Sequence, residues 1–158
     1  MLIAVISDTH GNKSVISKIR SELKKRDVKG IIHLGDNIDD IEELTNGFKC
    51  KFYGVRGNCD LSSFPEELVV SIENKRFFIT HGHRYGVKTG ISNIFYRGKE
   101  LGVDAVLFGH SHIKMASKEE GMWIINPGSP SIPKDGVPSI AFMEVDNDNI
   151  KVSSFTIE

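Results

Sequence analysis

The chain begins with Leu2-Ile3-Ala4-Val5-Ile6-Ser7 and continues Asp8-Thr9-His10-Gly11-Asn12. An apolar run rich in β-branched residues reads as a buried strand. Residues i and i+2 of an extended chain point the same way, so the strand end delivers Asp8 and His10 to one spot. By itself the stretch has a second reading, in which Asp8 and Asn12 cap the next helix and His10 is a solvated loop residue. What separates the two is recurrence, because a strand ending on metal-ligand residue types returns several times further on.

Working outward, Val15, Ile16, Ile19 and Leu23 lie at helical spacing with Lys18, Arg20, Lys24 and Lys25 between them, which predicts an amphipathic helix from Asn12 to about Asp27. Gly30-Ile31-Ile32-His33-Leu34 is a short strand ending at Gly35-Asp36-Asn37, so the front of the chain is a right-handed βαβ unit. Ile38, Ile41 and Leu44 predict a second, shorter helix with acids at its start. Cys50 to Arg56 forms a third strand that meets Gly57-Asn58-Cys59-Asp60. Leu68 to Ile72 and Arg76 to Thr80 form a hairpin closed at Asn74, and its second arm ends at His81-Gly82-His83. Lys88 to Leu101 is helical in pattern, although Gly90 and Gly98 interrupt it, and Ala105 to Phe108 is a strand stopping at Gly109-His110-Ser111-His112. The rear reads as a run of antiparallel strands: Lys114 to Lys118, Met122 to Ile125, Ser139 to Val145 and Ile150 to Ile157. The fold class expected is α/β, with two sheets packed face to face and helices outside.

With 158 residues the chain is expected to form one domain with a sizeable core. Its formal net charge of -1, with both signs interspersed, gives no footprint for nucleic acid or a membrane surface, so an acidic substrate must be held locally. Two cysteines give no disulfide framework, the first strand follows the N-terminus too closely for a signal peptide, and no apolar run is long enough to span a membrane. The cytoplasm is the expected compartment.

Five strands thus end at Asp8/His10, Asp36, Asn58, His81 and His110/His112. Ligand sites of open α/β sheets form at the carboxyl ends of strands, so all five ends converge on one crevice. Of six histidines, only His33 falls outside these ends. Imidazoles with carboxylate and amide oxygens suit Mn, Fe, Co, Ni or Zn better than Ca or Mg. Seven such side chains exceed the needs of one tetrahedral zinc and match two ions sharing a carboxylate, which clamp an in-line displacement from about 3.5 to 4 Å apart. Two divalent ions less two carboxylates and a bridging hydroxide leave a locally cationic pocket, suited to phosphate.

The ordered series Asp8-x-His10, Gly35-Asp36, Gly57-Asn58, His81 and Gly109-His110-x-His112 resembles the calcineurin-like metallophosphoesterase superfamily, and is most similar to its small phosphodiesterases of the YfcE type. The resemblance runs from Asp8 to at least Asn126-Pro127-Gly128-Ser129. It implies a metallophosphoesterase-type sandwich of two mixed β-sheets flanked by helices (αββα layers), as one domain over 1–158 with no cap domain. It implies that Asp8, His10, Asp36 and His112 bind one divalent transition metal ion and Asp36, Asn58, His81 and His110 a second. Mn²⁺ is the first choice, with Ni²⁺, Fe²⁺, Co²⁺ or Zn²⁺ as alternatives. The implied activity is hydrolysis of small phosphodiesters by in-line attack of a metal-bridging hydroxide, with Asn58 holding a phosphoryl oxygen and a homodimer as the family-like assembly. A phosphomonoesterase or nucleotide phosphatase is the alternative among enzymes, and a VPS29-like protein-binding scaffold the alternative outside them. One position departs from the pattern. Much of the superfamily has histidine after the motif asparagine, where this chain has Cys59, and loss of a general acid costs about 10²- to 10⁴-fold. His83, two residues past His81, is the candidate to contact substrate in its place.

Other residues have plainer readings. His33 is expected to be a satisfied structural histidine. Asp39, Asp40 and Asp60 are candidates to orient the histidine ligands from behind, with helix-start acids the preferred reading for Asp39 and Asp40. Arg56 is either a phosphate contact or a solvated arginine. Asn126 to Ser129 is either a loop at the site or a plain turn. Cys50 is a small buried hydrophobe, and Phe64, Phe95 and Tyr96 form either an exposed patch or part of the core.

Overall fold

The computed structural model describes residues 1–158. β1 (Leu2–Ile6), α1 (Lys13–Lys24) and β2 (Gly30–His33) make the expected βαβ unit, with β1 and β2 parallel and paired from Ile3–Gly30 to Ile6–His33. Asn12 caps α1 by accepting from the Val15 N–H at 3.2 Å. α2 (Asp40–Thr45) leads to β3 (Lys51–Gly54), parallel to β2. This strand is shorter than the predicted Cys50–Arg56, because the chain turns away after Val55 to wrap the 57–60 loop around Asp36, where the Cys59 N–H donates to Asp36 Oδ1 at 3.1 Å.

β4 (Glu67–Ile72) and β5 (Lys75–Thr80) form the predicted hairpin. Its two turn residues, Glu73 and Asn74, are both left-handed (φ 50° and 63°), which matches the twist of the flanking strands. A short 3₁₀ turn, His83–Tyr85, precedes α3 (Ser92–Leu101). This helix starts four residues later than the pattern from Lys88 suggests, yet it contains Gly98. A Cβ there would stand 2.5 Å from Val106 Cγ2 and 2.8 Å from Met122 Sδ, so the glycine lets the helix lie directly on the sheet. β6 (Ala105–Leu107), β7 (Met115–Glu119), β8 (Met122–Asn126), β9 (Ser139–Val145) and β10 (Ile150–Thr156) complete the chain.

The rear strands are not one antiparallel run. β7 and β8 join one sheet, of order β4-β5-β6-β8-β7, in which β8 is parallel to β6. β9 and β10 cross to the other, of order β10-β9-β1-β2-β3, in which β9 is antiparallel to β1. Alternation along the strands divides the apolar residues between faces. Ile3, Val5, Ile32, Phe77, Ile79, Leu107 and Met143 fill the space between the sheets. Ala4, Ile6 and Ile31 pack outward under Ile16, Ile19 and Leu23 of α1, and Phe78, Val106 and Ile124 pack outward under Ile94 of α3. The result is an α/β sandwich of two mixed five-stranded sheets with helices on both outer faces, as expected. Phe64 rests against Gly54, away from the other two, while Phe95, half-buried on α3 and packed towards the core, meets the ring of exposed Tyr96 edge-on at 5.3 Å, so the three aromatics form no common patch. No helix is long and apolar enough to cross a membrane.

Candidate metal centre

β1, β2 and β3 run parallel in one sheet and β5 and β6 in the other, and their carboxyl ends bring the predicted residues together. The turns that follow are unusual in one respect. Asp8, His10, Asp36, His110 and His112 all have left-handed backbones, with φ between 50° and 67°. Such conformations cost of order 1 to 3 kcal/mol each for residues with a side chain, and persist only where the surroundings over-determine them. Here they bend each chain end so that a ligand-type side chain points back over the strands.

Two groups of ligand atoms result, each with all members within 4.8 Å of one another: Asp8, His10, Asp36 and His112, and Asp36, His81 and His110. Asp36 belongs to both. In the first, Asp8 Oδ1 lies 3.1 Å from His112 Nε2 and 4.0 Å from His10 Nε2, and the two Nε2 atoms are 3.4 Å apart. In the second, His81 Nε2 lies 3.5 Å from Asp36 Oδ1 and 3.2 Å from His110 Nδ1. The far side of each ring sets its tautomer. His81 Nδ1–H donates to Leu34 O and His112 Nδ1–H to Ile132 O, both at 2.7 Å, which leaves each neutral Nε2 as a lone pair facing the carboxylates. Asp8 Oδ2 accepts from Ser7 Oγ and from the His110 N–H, but Asp8 Oδ1 is buried without a hydrogen-bond partner. An orphaned carboxylate oxygen facing the imidazole lone pairs of neutral His81 and His112 is a donor set that a divalent transition metal ion would satisfy.

The electrostatics agree. Burial pushes the Asp8 and Asp36 carboxyls up, yet neighbouring imidazoles and hydrogen bonds leave both below the ordinary carboxylate range. His112 is raised, chiefly by Asp8, and His81 is raised by Asp36 and Asp8 despite its burial. Partial burial, with His81 and Lys88 nearby, pushes His110 down to about 4. The paired carboxylates therefore draw positive charge to this spot.

Asn58 is placed differently. It sits on the loop around Asp36, but its side chain is exposed, and its one hydrogen bond runs from Nδ2 to Cys59 Sγ at 3.7 Å. The His83 ring centroid lies 5.5 Å from that of His81 and 6.1 Å from that of His110, with Nδ1 buried and unpartnered, so His83 does face the crevice. Its pKa is lowered by burial and by His81.

The supporting residues correct several plainer readings. His33 is the satisfied buried histidine expected, with both ring nitrogens bonded. Asp40 is not simply a helix-start acid: it is buried, and its carboxylate accepts from Thr9 Oγ1 and the Gly11 N–H. Asp39 precedes α2 without a side-chain cap bond. Asp60 orients no histidine directly. It accepts from the backbone N–H groups of Asp36, Asn37, Ile38 and Gly57, tying the two loops together. Arg56 pairs with Glu66 at 3.4 Å. Asn126 to Ser129 is a brace at the site: Asn126 Nδ2 donates to Gly109 O and Ser111 Oγ, and Ser129 Oγ donates to Asp8 O. Ser131, whose hydroxyl donates to Thr9 O, carried no signal in the sequence, since its partner is 122 residues away.

The profile of the calcineurin-like phosphoesterase superfamily domain matches residues 1–148. A probable metallophosphoesterase of Bacillus subtilis, YsnB, is 34% identical over 150 residues, covering 94% of this chain and 86% of that protein. The phosphodiesterase YfcE of Escherichia coli is 28% identical over 175 residues, covering 96% and 91%. Among solved structures, a single-residue variant of Vps29 from Entamoeba histolytica superposes with a TM-score of 0.86 at 20% identity, covering 99% of this chain and 92% of that one, a likeness of fold. The chain belongs to the calcineurin-like phosphoesterase superfamily.

Proposed function

We propose that this protein is a dinuclear metal-dependent phosphodiesterase. The observation that carries the reading is the pair of ligand groups joined through Asp36. Asp8, His10, Asp36 and His112 would hold one ion, and Asp36, His81 and His110 the other, with Asn58 turned inward from its loop as a further ligand. The nitrogen and oxygen donors suit a divalent transition metal ion, with Mn²⁺ the first choice by family likeness and Ni²⁺, Fe²⁺, Co²⁺ and Zn²⁺ as alternatives. When bound, such a pair supplies an acidified water for in-line attack on phosphorus and a clamp for the attacking and leaving oxygens.

The chain's own residues prepare the rest. Leu34 O and Ile132 O hold the protons of His81 and His112 on Nδ1, so Nε2 stays available to a cation. His83, disfavoured as a cation by burial and by His81, would present a neutral ring to the substrate beside His81 and His110. Similarity to a protein named as a phosphodiesterase supports diesters over monoesters, as does Cys59 in place of a histidine. Retention of all seven ligand-type residues favours catalysis over a scaffold role.

The test uses chelated protein resupplied with Mn²⁺, Ni²⁺ or Zn²⁺, assayed on bis-p-nitrophenyl phosphate and p-nitrophenyl phosphate. The expected result is diester turnover that returns with metal, exceeds monoester turnover and is reduced by His83→Ala. Two bound ions without turnover of either ester would move the reading to the scaffold.

A further inference from the structure

The Asp8-Thr9-His10-Gly11 turn has three left-handed residues among four: Asp8, His10 and Gly11, at φ 56°, 50° and 67°. Something outside the turn must hold it there, and the side chain of its fourth member shows what does. Thr9 is fully buried, as is His33 beneath it, and Asp40 is 5% exposed. The protons along the three can be assigned. The Gly35 N–H donates to His33 Nδ1 at 3.1 Å, so the ring proton of a neutral His33 is on Nε2. His33 Nε2–H then donates to Thr9 Oγ1 at 2.9 Å, and the Thr9 hydroxyl donates to Asp40 Oδ2 at 2.7 Å. The same Asp40 oxygen accepts from the Gly11 N–H at 3.0 Å. Burial pushes the His33 pKa down to about 4, consistent with the neutral ring that this order requires.

Asp40 therefore grips the turn on both sides of His10, through the residue before it and the residue after it, and His33 ties the same turn to the Gly35-Asp36 loop. Nothing else in its position suggests another task. It begins a six-residue helix that has no side-chain cap bond, and its two partners lie 29 and 31 residues back in the chain. The other half of the centre is held by separate means: Asp60 on four backbone N–H groups around Asp36, and Leu34 O on the His81 ring.

We propose that Asp40, acting through Thr9 and supported by His33, is the positioning residue for the first half of the centre, holding His10 in ligand geometry so that its loss weakens one ion and spares the other. The metal part of this statement rests on the dinuclear reading above. Partners behind metal ligands are typically worth about 10- to 100-fold in metal affinity.

The test compares wild type with Thr9→Val, which keeps the side chain's shape and removes the hydroxyl, Thr9→Ser, which restores the hydroxyl, and Asp40→Ala. Mn²⁺ is titrated calorimetrically into each chelated protein. In Thr9→Val and Asp40→Ala, one of two binding steps is expected to weaken about 10- to 100-fold while the other stays within about twofold, and Thr9→Ser is expected to recover the wild-type pattern. Unchanged steps, or two equally weakened steps that Thr9→Ser does not recover, would overturn the proposal. A second measurement needs no metal: amide hydrogen exchange and backbone NMR shifts of the chelated proteins. Loss of protection at Gly11 and displaced His10 resonances, with Leu34 protection retained, support the clamp. Unmoved His10 and Gly11 signals in Asp40→Ala would overturn it. Should wild type itself bind fewer than two ions, the dinuclear reading fails, and these apo measurements still decide whether Asp40 positions His10.

Discussion

The two halves of the centre are built by different means. In the half around Asp36, His81 follows β5 directly, its side chain is 0% exposed, and a backbone carbonyl pins its ring. In the half around Asp8, His10 and His112 stand on left-handed turns with side chains 24% and 12% exposed, and those turns are held by side chains of distant segments. A strand end is rigid because its ladder is rigid. A turn is only as rigid as whatever grips it. The difference between these histidines can be pressed at several points.

The largest effect is expected where the halves meet. Asp36→Asn removes the carboxylate common to both groups, so metal analysis should find both ions lost and diester turnover down by about 10³-fold or more, equivalent to about 4 kcal/mol of transition-state stabilisation. If one ion survived at wild-type affinity, the halves would not share this group.

Next is the pH dependence of the metal-free protein, which probes the anchor under the turn-built half. The ordinary His33 pKa of 6.5 falls to about 4 in the fold through burial. Between those values the unfolded chain binds a proton that the native state does not, so stability is full above pH 6.5 and is lost as pH falls towards 4. The slope is at most about 1.4 kcal/mol per pH unit, or about 3 kcal/mol across the window. Denaturant titrations of wild type and His33→Gln should show a shallower slope in the variant. Equal slopes would mean that His33 is not the buried neutral group described.

A smaller contrast separates the halves themselves. His81→Ala opens a cavity between the sheets and should cost about 2 to 3 kcal/mol of stability, whereas His10→Ala, at the solvent edge, should cost less than about 1 kcal/mol. Each should leave one ion bound. Equal stability costs would erase the distinction between strand-built and turn-built halves. The smallest effect belongs outside the centre: Lys13→Ala breaks an exposed pair with Glu43 and should leave both the denaturation midpoint and metal binding unaltered.

Much of this architecture is legible without coordinates, and the reasons are local. A β-branched run followed by Asp8-Thr9-His10-Gly11 states both a strand and the place where it stops, and Asn74 marks a hairpin because its neighbours alternate on either side. Ligand-type residues at the ends of successive strands are legible for the same reason, since strand ends are set by the few residues around them. Packing decided the rest. Sequence alone did not say that β8 lies parallel to β6 while β9 crosses to β1, because a strand's own pattern names its buried face and not its neighbour. Gly98 is an interruption in the local helical pattern and a close contact with Val106 and Met122 in the fold. The local setting of Asp40 favours a helix-start acid over an orienter of histidine ligands, and the approach of Thr9 and Gly11 from 29 to 31 residues away turns its carboxylate inward. Local pattern determined which residues reach the carboxyl ends of the strands. Tertiary structure decided which of them meet, what grips them, and which half of the centre is held by a ladder or by a clamp, because those bonds join segments whose separation along the chain carries no information about their distance in space.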